Sequence, residues 1–158
     1  MSLAIVPGSF DPMTLGHLEL VKNVAARYDE VVVAVMQNAE KSYLFTDKER
    51  VEIAKKTVEE IPNVRVIADD GMLIDLYDRL GANAVCKGVR NETDLAYENN
   101  MAEWNHAHNP RFVTELIQAE DAYTNISSTD VRNAMKNKEE LSSMVHASAI
   151  PLLLQKTV

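Results

Sequence analysis

Cysteine is nearly absent from this chain of 158 residues, and the lone Cys86 excludes an internal disulfide framework. That scarcity suits a reducing compartment, so a cytoplasmic location is expected. Basic residues are short as well: 16 Lys and Arg face 24 Asp and Glu, for a net charge of −8. Broad nucleic-acid binding is thereby disfavoured, because it requires an excess of cations to displace counterions. No apolar run reaches bilayer length, and the N-terminus lacks the basic-then-apolar pattern of a secretion signal. Glycine and proline number only five each, with no low-complexity tract, linker or repeat. What remains is a chain of ordinary globular composition, long enough for one domain spanning 1–158. A small anionic ligand stays open to it if basic groups and backbone N–H donors gather locally.

Apolar β-branched runs alternate with helical spacing. Leu3–Val6, Glu30–Met36, Val64–Ala68, Ala84–Lys87 and Phe112–Ile117 read as five strands. Between them lie a helix carrying Leu18, Val21 and Ala25, a helix to about Ile61, and a short helix that Gly81 can stop. Thr93–His108 forms a long helix, and helical pieces follow from Ser127. Thr46 and Glu49 form a capping box ahead of the second helix. This order predicts an α/β, doubly wound parallel sheet of five strands, with helices on both faces and a helical tail. Ligands of such sheets bind beyond the carboxyl ends of the strands, where strand order reverses.

The unusual residues fall in those turns. "PGSFDPMTLGH", Pro7–His17, follows the first strand. Gly8 permits close approach of backbone to ligand, Ser9 offers a hydroxyl, and the helix opening at Thr14 attracts anions. The helix dipole disfavours an imidazolium, so His17 is expected neutral and able to donate one N–H to a phosphate. "VCKGVR" ends the fourth strand in Lys87, Gly88 and Arg90, and "NISSTDVR" offers the hydroxyls of Ser127, Ser128 and Thr129 at a helix start. Lys41, in the loop after the second strand, would join them. The expectation is that His17, Lys41, Lys87 and Arg90 converge in a single electropositive pocket.

Other features have plainer readings. His106 and His108 lie two apart on a helix and point to different faces, so no protein metal site is expected. Cys86 lies in an apolar strand and reads as core. Met72, Leu73 and Leu76 also read as core at helical spacing, although Met72 and Leu73 begin their helix at the ligand face.

Taken together, "GSFDPMTLGH", "KGVRNETDLAYE" and "ISST" resemble the phosphopantetheine adenylyltransferase family, a branch of the nucleotidyltransferases with a (Thr/His)-x-Gly-His signature. The resemblance covers nearly the whole chain. It implies transfer of the adenylyl group of ATP to 4′-phosphopantetheine, giving dephospho-coenzyme A and pyrophosphate with Mg²⁺. It also implies a Rossmann-like domain assembled as a homohexamer, with coenzyme A as a feedback ligand. From the acidic charge and the lack of long apolar runs, no nucleic acid or membrane partner is expected. By the same resemblance His17 is the transition-state contact, with Lys41 and Arg90 as its charged companions. Ser9, Lys41, Leu73 and Lys87 meet the acceptor. ATP is held by Ser9, Phe10, His17, Gly88, Val89, Arg90 and Glu98, and by Tyr123, Thr124, Asn125, Ile126, Ser127, Ser128 and Thr129.

Two positions depart from the family pattern. Ser9 stands where Thr is usual and keeps the hydroxyl. Lys87 stands where Arg is usual and loses the planar fork that grips a phosphate. Rival readings are a mononucleotide adenylyltransferase, a glycerol-phosphate cytidylyltransferase, or a nucleotide-binding regulator without chemistry. Thr14 and the "KGVR…YE" block favour the first family over these.

Overall fold

The computed structural model describes residues 1–156. Five parallel strands form one sheet in the order β3-β2-β1-β4-β5. They are β1 (Leu3–Gly8), β2 (Glu30–Met36), β3 (Val64–Asp69), β4 (Ala84–Val89) and β5 (Thr114–Gln118). The helices are α1 (Leu15–Ala25), α2 (Asp47–Val58), α3 (Leu73–Leu80), α4 (Glu92–His108), α5 (Ser128–Lys136) and α6 (Ile150–Leu154).

Sheet alternation divides the core. Ala4, Val6, Val31, Val33, Val35 and Cys86 face α1 and α2, packing on Leu18, Val21, Val24 and Ala54. Ile5, Ala34 and Val85 face the opposite way, onto Leu76, Tyr77 and Phe112. The middle of β2 is buried on both sides, which accounts for its unbroken apolar run. Each fully buried Val or Leu contributes about 1.5–3 kcal/mol relative to exposure. A third cluster, built from Phe45, Ile53, Val131, Leu141 and Leu153, fastens α2, α5 and the tail together.

Several boundaries move from their sequence positions. β1 and β4 run on to Gly8 and Val89, and β5 starts at Thr114. Phe112 is taken out of β5 by a turn in which its N–H bonds to the Asn109 carbonyl at 2.9 Å, while its ring packs on Tyr77. α2 ends at Val58, and a turn from Ile61 to the Val58 carbonyl leads into β3. Met72, expected in the core, is 56% exposed because it caps α3 from outside its apolar stripe.

The switch point lies between β1 and β4. β1 pairs with β2 over six positions, through Gly8↔Val35. It pairs with β4 only at Ala4↔Ala84 and Ile5↔Val85. Beyond Ile5 the two strands run on without further pairing to each other. That opening at the carboxyl end of the sheet is where a ligand crevice is expected.

Candidate active site

The turn after β1 is held by its own side chains. Phe10 is buried and adopts φ 48°, which projects its ring back over Gly8. A Cβ on Gly8 would lie 2.9 Å from Phe10 Cζ, so only glycine fits beneath that ring. The Asp11 carboxylate accepts the N–H groups of Leu44 and Phe45, each at 2.9 Å, and thereby buckles the turn to the loop after β2.

Thr14 caps α1 and His17 completes the box. The Thr14 side chain accepts the His17 N–H at 3.3 Å, and His17 Nδ1 accepts the Thr14 N–H at 2.9 Å. With Nδ1 used as an acceptor, the proton of the neutral ring belongs on Nε2. The ring meets Phe10 edge to face, with centroids 5.0 Å apart. Burial, reinforced by the positive charge of Arg90, lowers the His17 pKa to about 4. The neutrality expected from sequence is therefore present, but burial rather than the helix dipole leads its causes.

The cations at the end of β4 do not stand free. Lys87 Nζ lies 2.7 Å from Glu98. Arg90 Nε lies 3.4 Å from Asp94, which also accepts the Arg90 backbone N–H at 3.1 Å. Asp94 and Glu98 are one turn apart on α4, so a single helix face meets both. Asn91, capping α4 through the Asp94 N–H, sets that face.

The hydroxyls of the α5 start are engaged too. Ser127 caps the helix in a reciprocal box with Asp130. Ser128 Oγ donates to the Pro12 carbonyl at 2.8 Å. Thr129 Oγ1 accepts from Arg132, whose other nitrogen donates to the Asp11 carbonyl. α5 is thus tied to the first turn, and its leading N–H groups open beside it without intrahelical acceptors.

Two cavities flank the turn. The larger, about 660 Å³, is lined by Gly8, Phe10, Thr14 and His17, by Lys87, Gly88 and Arg90, by Asp94 and Glu98, and by Tyr123, Ile126, Ser127 and Ser128. The smaller, about 470 Å³, is lined by Ser9, Met36, Asn38, Lys41, Tyr43, Asp70 and Met72. Both are of a size that takes a small ligand. Gly8 and Phe10 meet one cavity and Ser9 the other, so the turn is their common wall.

The structure brings together His17, Lys87, Arg90, Glu98 and the Ser127–Ser128 pair. It separates Lys41, which lies across the wall in the second cavity; the expected single pocket is two. Leu73 is half-buried in the core below that second cavity, and its neighbour Met72 lines it instead. Val89 is buried at the strand end. Thr124, Asn125 and Thr129 belong to the lining segment without lining either cavity; Thr124 is turned to the Asp121 carbonyl. Arg50, fully buried behind the wall, escaped sequence reasoning, although an arginine three and four residues before buried Ile53 and Ala54 was a visible anomaly. His106 bonds the Phe112 carbonyl and His108 stacks on Trp104. Among the described residues no group of three His, Cys, Asp or Glu could hold a metal ion. Cys86 is core, its thiol pushed up to about 11 by burial.

Comparisons with known proteins bear on the fold and the family. A cytidylyltransferase-like family profile matches residues 5–134. A solved structure from Vibrio parahaemolyticus, of a protein provisionally named a nicotinate-nucleotide adenylyltransferase, superposes with a TM-score of 0.70. That match covers 98% of this chain and 99% of the other at 16% identity, and it speaks for the fold. The phosphopantetheine adenylyltransferase of Lachnoclostridium phytofermentans is 37% identical over 156 residues, covering 99% of this chain and 96% of that one. Its namesake in Symbiobacterium thermophilum is 41% identical over 132 residues, covering 84% of this chain and 82% of that one. Identity at this level over nearly the full length of both partners, with the sheet and the crevice in place, makes the chain a member of the phosphopantetheine adenylyltransferase family.

Proposed function

We propose that the chain, acting as one domain over 1–158, transfers the adenylyl group of ATP to 4′-phosphopantetheine, forming dephospho-coenzyme A and pyrophosphate. The observation that carries this reading is the common wall. Two cavities at the carboxyl end of the sheet meet at the Gly8–Phe10 turn, with the imidazole of His17 lining one of them beside it. Such an arrangement suits two substrates that must react with each other rather than with the protein.

ATP takes the larger cavity. Gly88, Val89 and Glu98 with Tyr123–Ile126 hold the nucleoside, while Arg90 and Ser127–Thr129 hold the β- and γ-phosphates. The acceptor takes the smaller, with Ser9, Lys41 and Met72 along it, Leu73 packed behind Met72, and Lys87 reaching its phosphate from across the wall. A phosphate oxygen of the acceptor attacks the α-phosphorus, forming a new P–O bond, and the bond to the β-phosphate oxygen breaks as pyrophosphate leaves. A phosphate oxygen is already nucleophilic at neutral pH, so no general base is required. The task of the protein is to position two polyanions and to stabilise the charge that shifts between them. His17, neutral and protonated on Nε2, donates to the α-phosphate without adding a cation that would bind ground and transition states alike.

Mg²⁺ enters as part of the substrate, coordinated by ATP phosphate oxygens and water, as is usual for this reluctantly dehydrated ion. Asp94 and Glu98, the carboxylates beside it, are committed to Arg90 and Lys87. The homohexamer of the family is supported by Leu95, Tyr97 and Trp104, which α4 leaves exposed. Coenzyme A, sharing both halves of the product, would compete across the same wall, and a cytoplasmic setting accords with the buried free thiol and the lack, among the described residues, of any helix able to cross a membrane.

The test offers ATP with phosphopantetheine, nicotinate mononucleotide or glycerol phosphate separately and measures pyrophosphate. Release with phosphopantetheine alone is expected. Release with either of the others in its place overturns the reading.

A further inference from the structure

Arg50 lies on the buried stripe of α2 with no exposed surface. Among the described residues it forms no ion pair. Its Nη1 donates to the carbonyls of Ser9 at 2.9 Å and Met36 at 3.2 Å. Its Nε and Nη2 are buried with no protein acceptor. The guanidinium rests on the face of Tyr43, 3.9 Å from the ring centroid, which offsets part of the missing counter-charge. A buried arginine without a carboxylate is costly to keep, and an apolar side chain of similar volume would serve packing better.

All three contacts of Arg50, namely Ser9, Met36 and Tyr43, line the second cavity. That cavity's own charged residues are one cation, Lys41, and one anion, Asp70. Lys41 is solvent-exposed and screened. Lys41 and Asp70 cancel within this lining, and Lys87 reaches in only from across the wall, where Glu98 pairs with it, yet the acceptor assigned to the cavity bears a phosphate.

We propose that Arg50 is a positioning residue for the anionic end of the acceptor: through the carbonyls of Ser9 and Met36 it fixes the wall between the cavities, and it lends the second cavity a buried positive charge that no carboxylate cancels. This rests on the assignment of the acceptor to that cavity. It differs from a packing role in one measurable respect. The charge favours phosphopantetheine over pantetheine, which lacks the phosphate, whereas packing would favour neither.

The experiment measures binding of both compounds by calorimetry, with steady-state kinetics, for wild type, Arg50→Met and Arg50→Lys. In Arg50→Met the preference for phosphopantetheine falls about tenfold, with the acceptor KM raised and the KM for ATP unchanged, as for loss of one charged partner. Arg50→Lys keeps the preference within about threefold while kcat falls, because the charge survives and the two-carbonyl clamp does not. An Arg50→Met protein that retains the full preference overturns the proposal. Should that variant not fold, the salt dependence of wild type and of Lys87→Met decides. A preference that persists at about 0.5 M salt in wild type and in Lys87→Met alike is due to the buried charge, and one that vanishes in either belongs to exposed Lys41 or to Lys87 and refutes the role of Arg50. Wild type that releases no pyrophosphate from ATP and phosphopantetheine would instead sink the functional assignment itself, so the two failures are distinguishable.

Discussion

The protonation of His17 can be read in stability as well as in turnover. Its pKa is about 4 in the folded chain, against 6.5 for the free side chain. On acidification the unfolded chain takes up this proton first, so the contribution is complete above about pH 6.5 and is lost progressively as pH falls toward 4. The full shift corresponds to about 3 kcal/mol, of which about 2 kcal/mol disappears between pH 7 and pH 5. Carboxylates held low by hydrogen bonds, such as Glu49 and Glu115, add their own acid sensitivity. They must be subtracted, and His17→Gln is the natural control. Glutamine at this third helical position can still accept the Thr14 N–H in a capping box, and it does not titrate. Urea unfolding at a single protein concentration, at pH 7 and pH 5, should show wild type losing about 2 kcal/mol more than the variant. Equal losses would refute the argument, as would an imidazole that titrates near its free value by NMR. Arg90 contributes to the shift, so bound pyrophosphate, by neutralising that charge, should raise the pKa of His17.

The same geometry bears on catalysis. Replacing His17 by Ala should lower kcat by about 10²–10³ at nearly constant KM for ATP, as for one lost preorganised donor; full turnover would remove it from the transition state. Gly8→Ala places a methyl 2.9 Å from Phe10 Cζ and must push that ring off the imidazole. A thermal melt should register a cost of about 1–3 kcal/mol with a fall in kcat, and a variant with wild-type kcat would show that the Phe10–His17 contact is dispensable. Lys87→Arg restores a planar fork that can hold Glu98 and a phosphate together, so acceptor KM should fall severalfold while the KM for ATP stays put. A rise in acceptor KM would mean that this cavity is shaped around lysine.

Much of the architecture was legible because its signals are local. The β-branched run Glu30–Met36 and the Thr46–Glu49 box coincide with β2 and with the start of α2. What was illegible depends on contacts between distant segments. Phe112 has the composition of a strand residue, but its place under Tyr77 removes it from β5. Met72 and Leu73 are adjacent apolar residues, and only the fold sets Met72 at the exposed N-cap of α3 and Leu73 against the core. Sequence placed His17, Arg90 and Lys87 at the same sheet edge correctly, since strand ends of a parallel sheet share one edge. It could not show that the Phe10 turn divides that edge, because the division requires Asp11 to reach Leu44 and Phe45, more than thirty positions away.

An acidic chain that handles polyanions poses a question that net charge does not answer. Here the relevant cations are kept in place by carboxylates of α4: Lys87 by Glu98 and Arg90 by Asp94. Partly exposed pairs of this kind contribute little to stability, so their exchange for phosphate partners is not strongly opposed. A phosphate offers shorter and more numerous acceptors than one carboxylate does, and a guanidinium can engage it bidentately. With Arg90 assigned to ATP and Lys87 to the acceptor phosphate, as proposed above, binding of the two substrates would exchange partners on cations already held near their working positions, the entropy of ordering two long side chains having been spent beforehand. The acids that seem misplaced in an anion site are consistent with it, because they hold its cations in place. Arg50 stands apart because no carboxylate attends it, and its charge acts on whatever occupies the second cavity without an exchange.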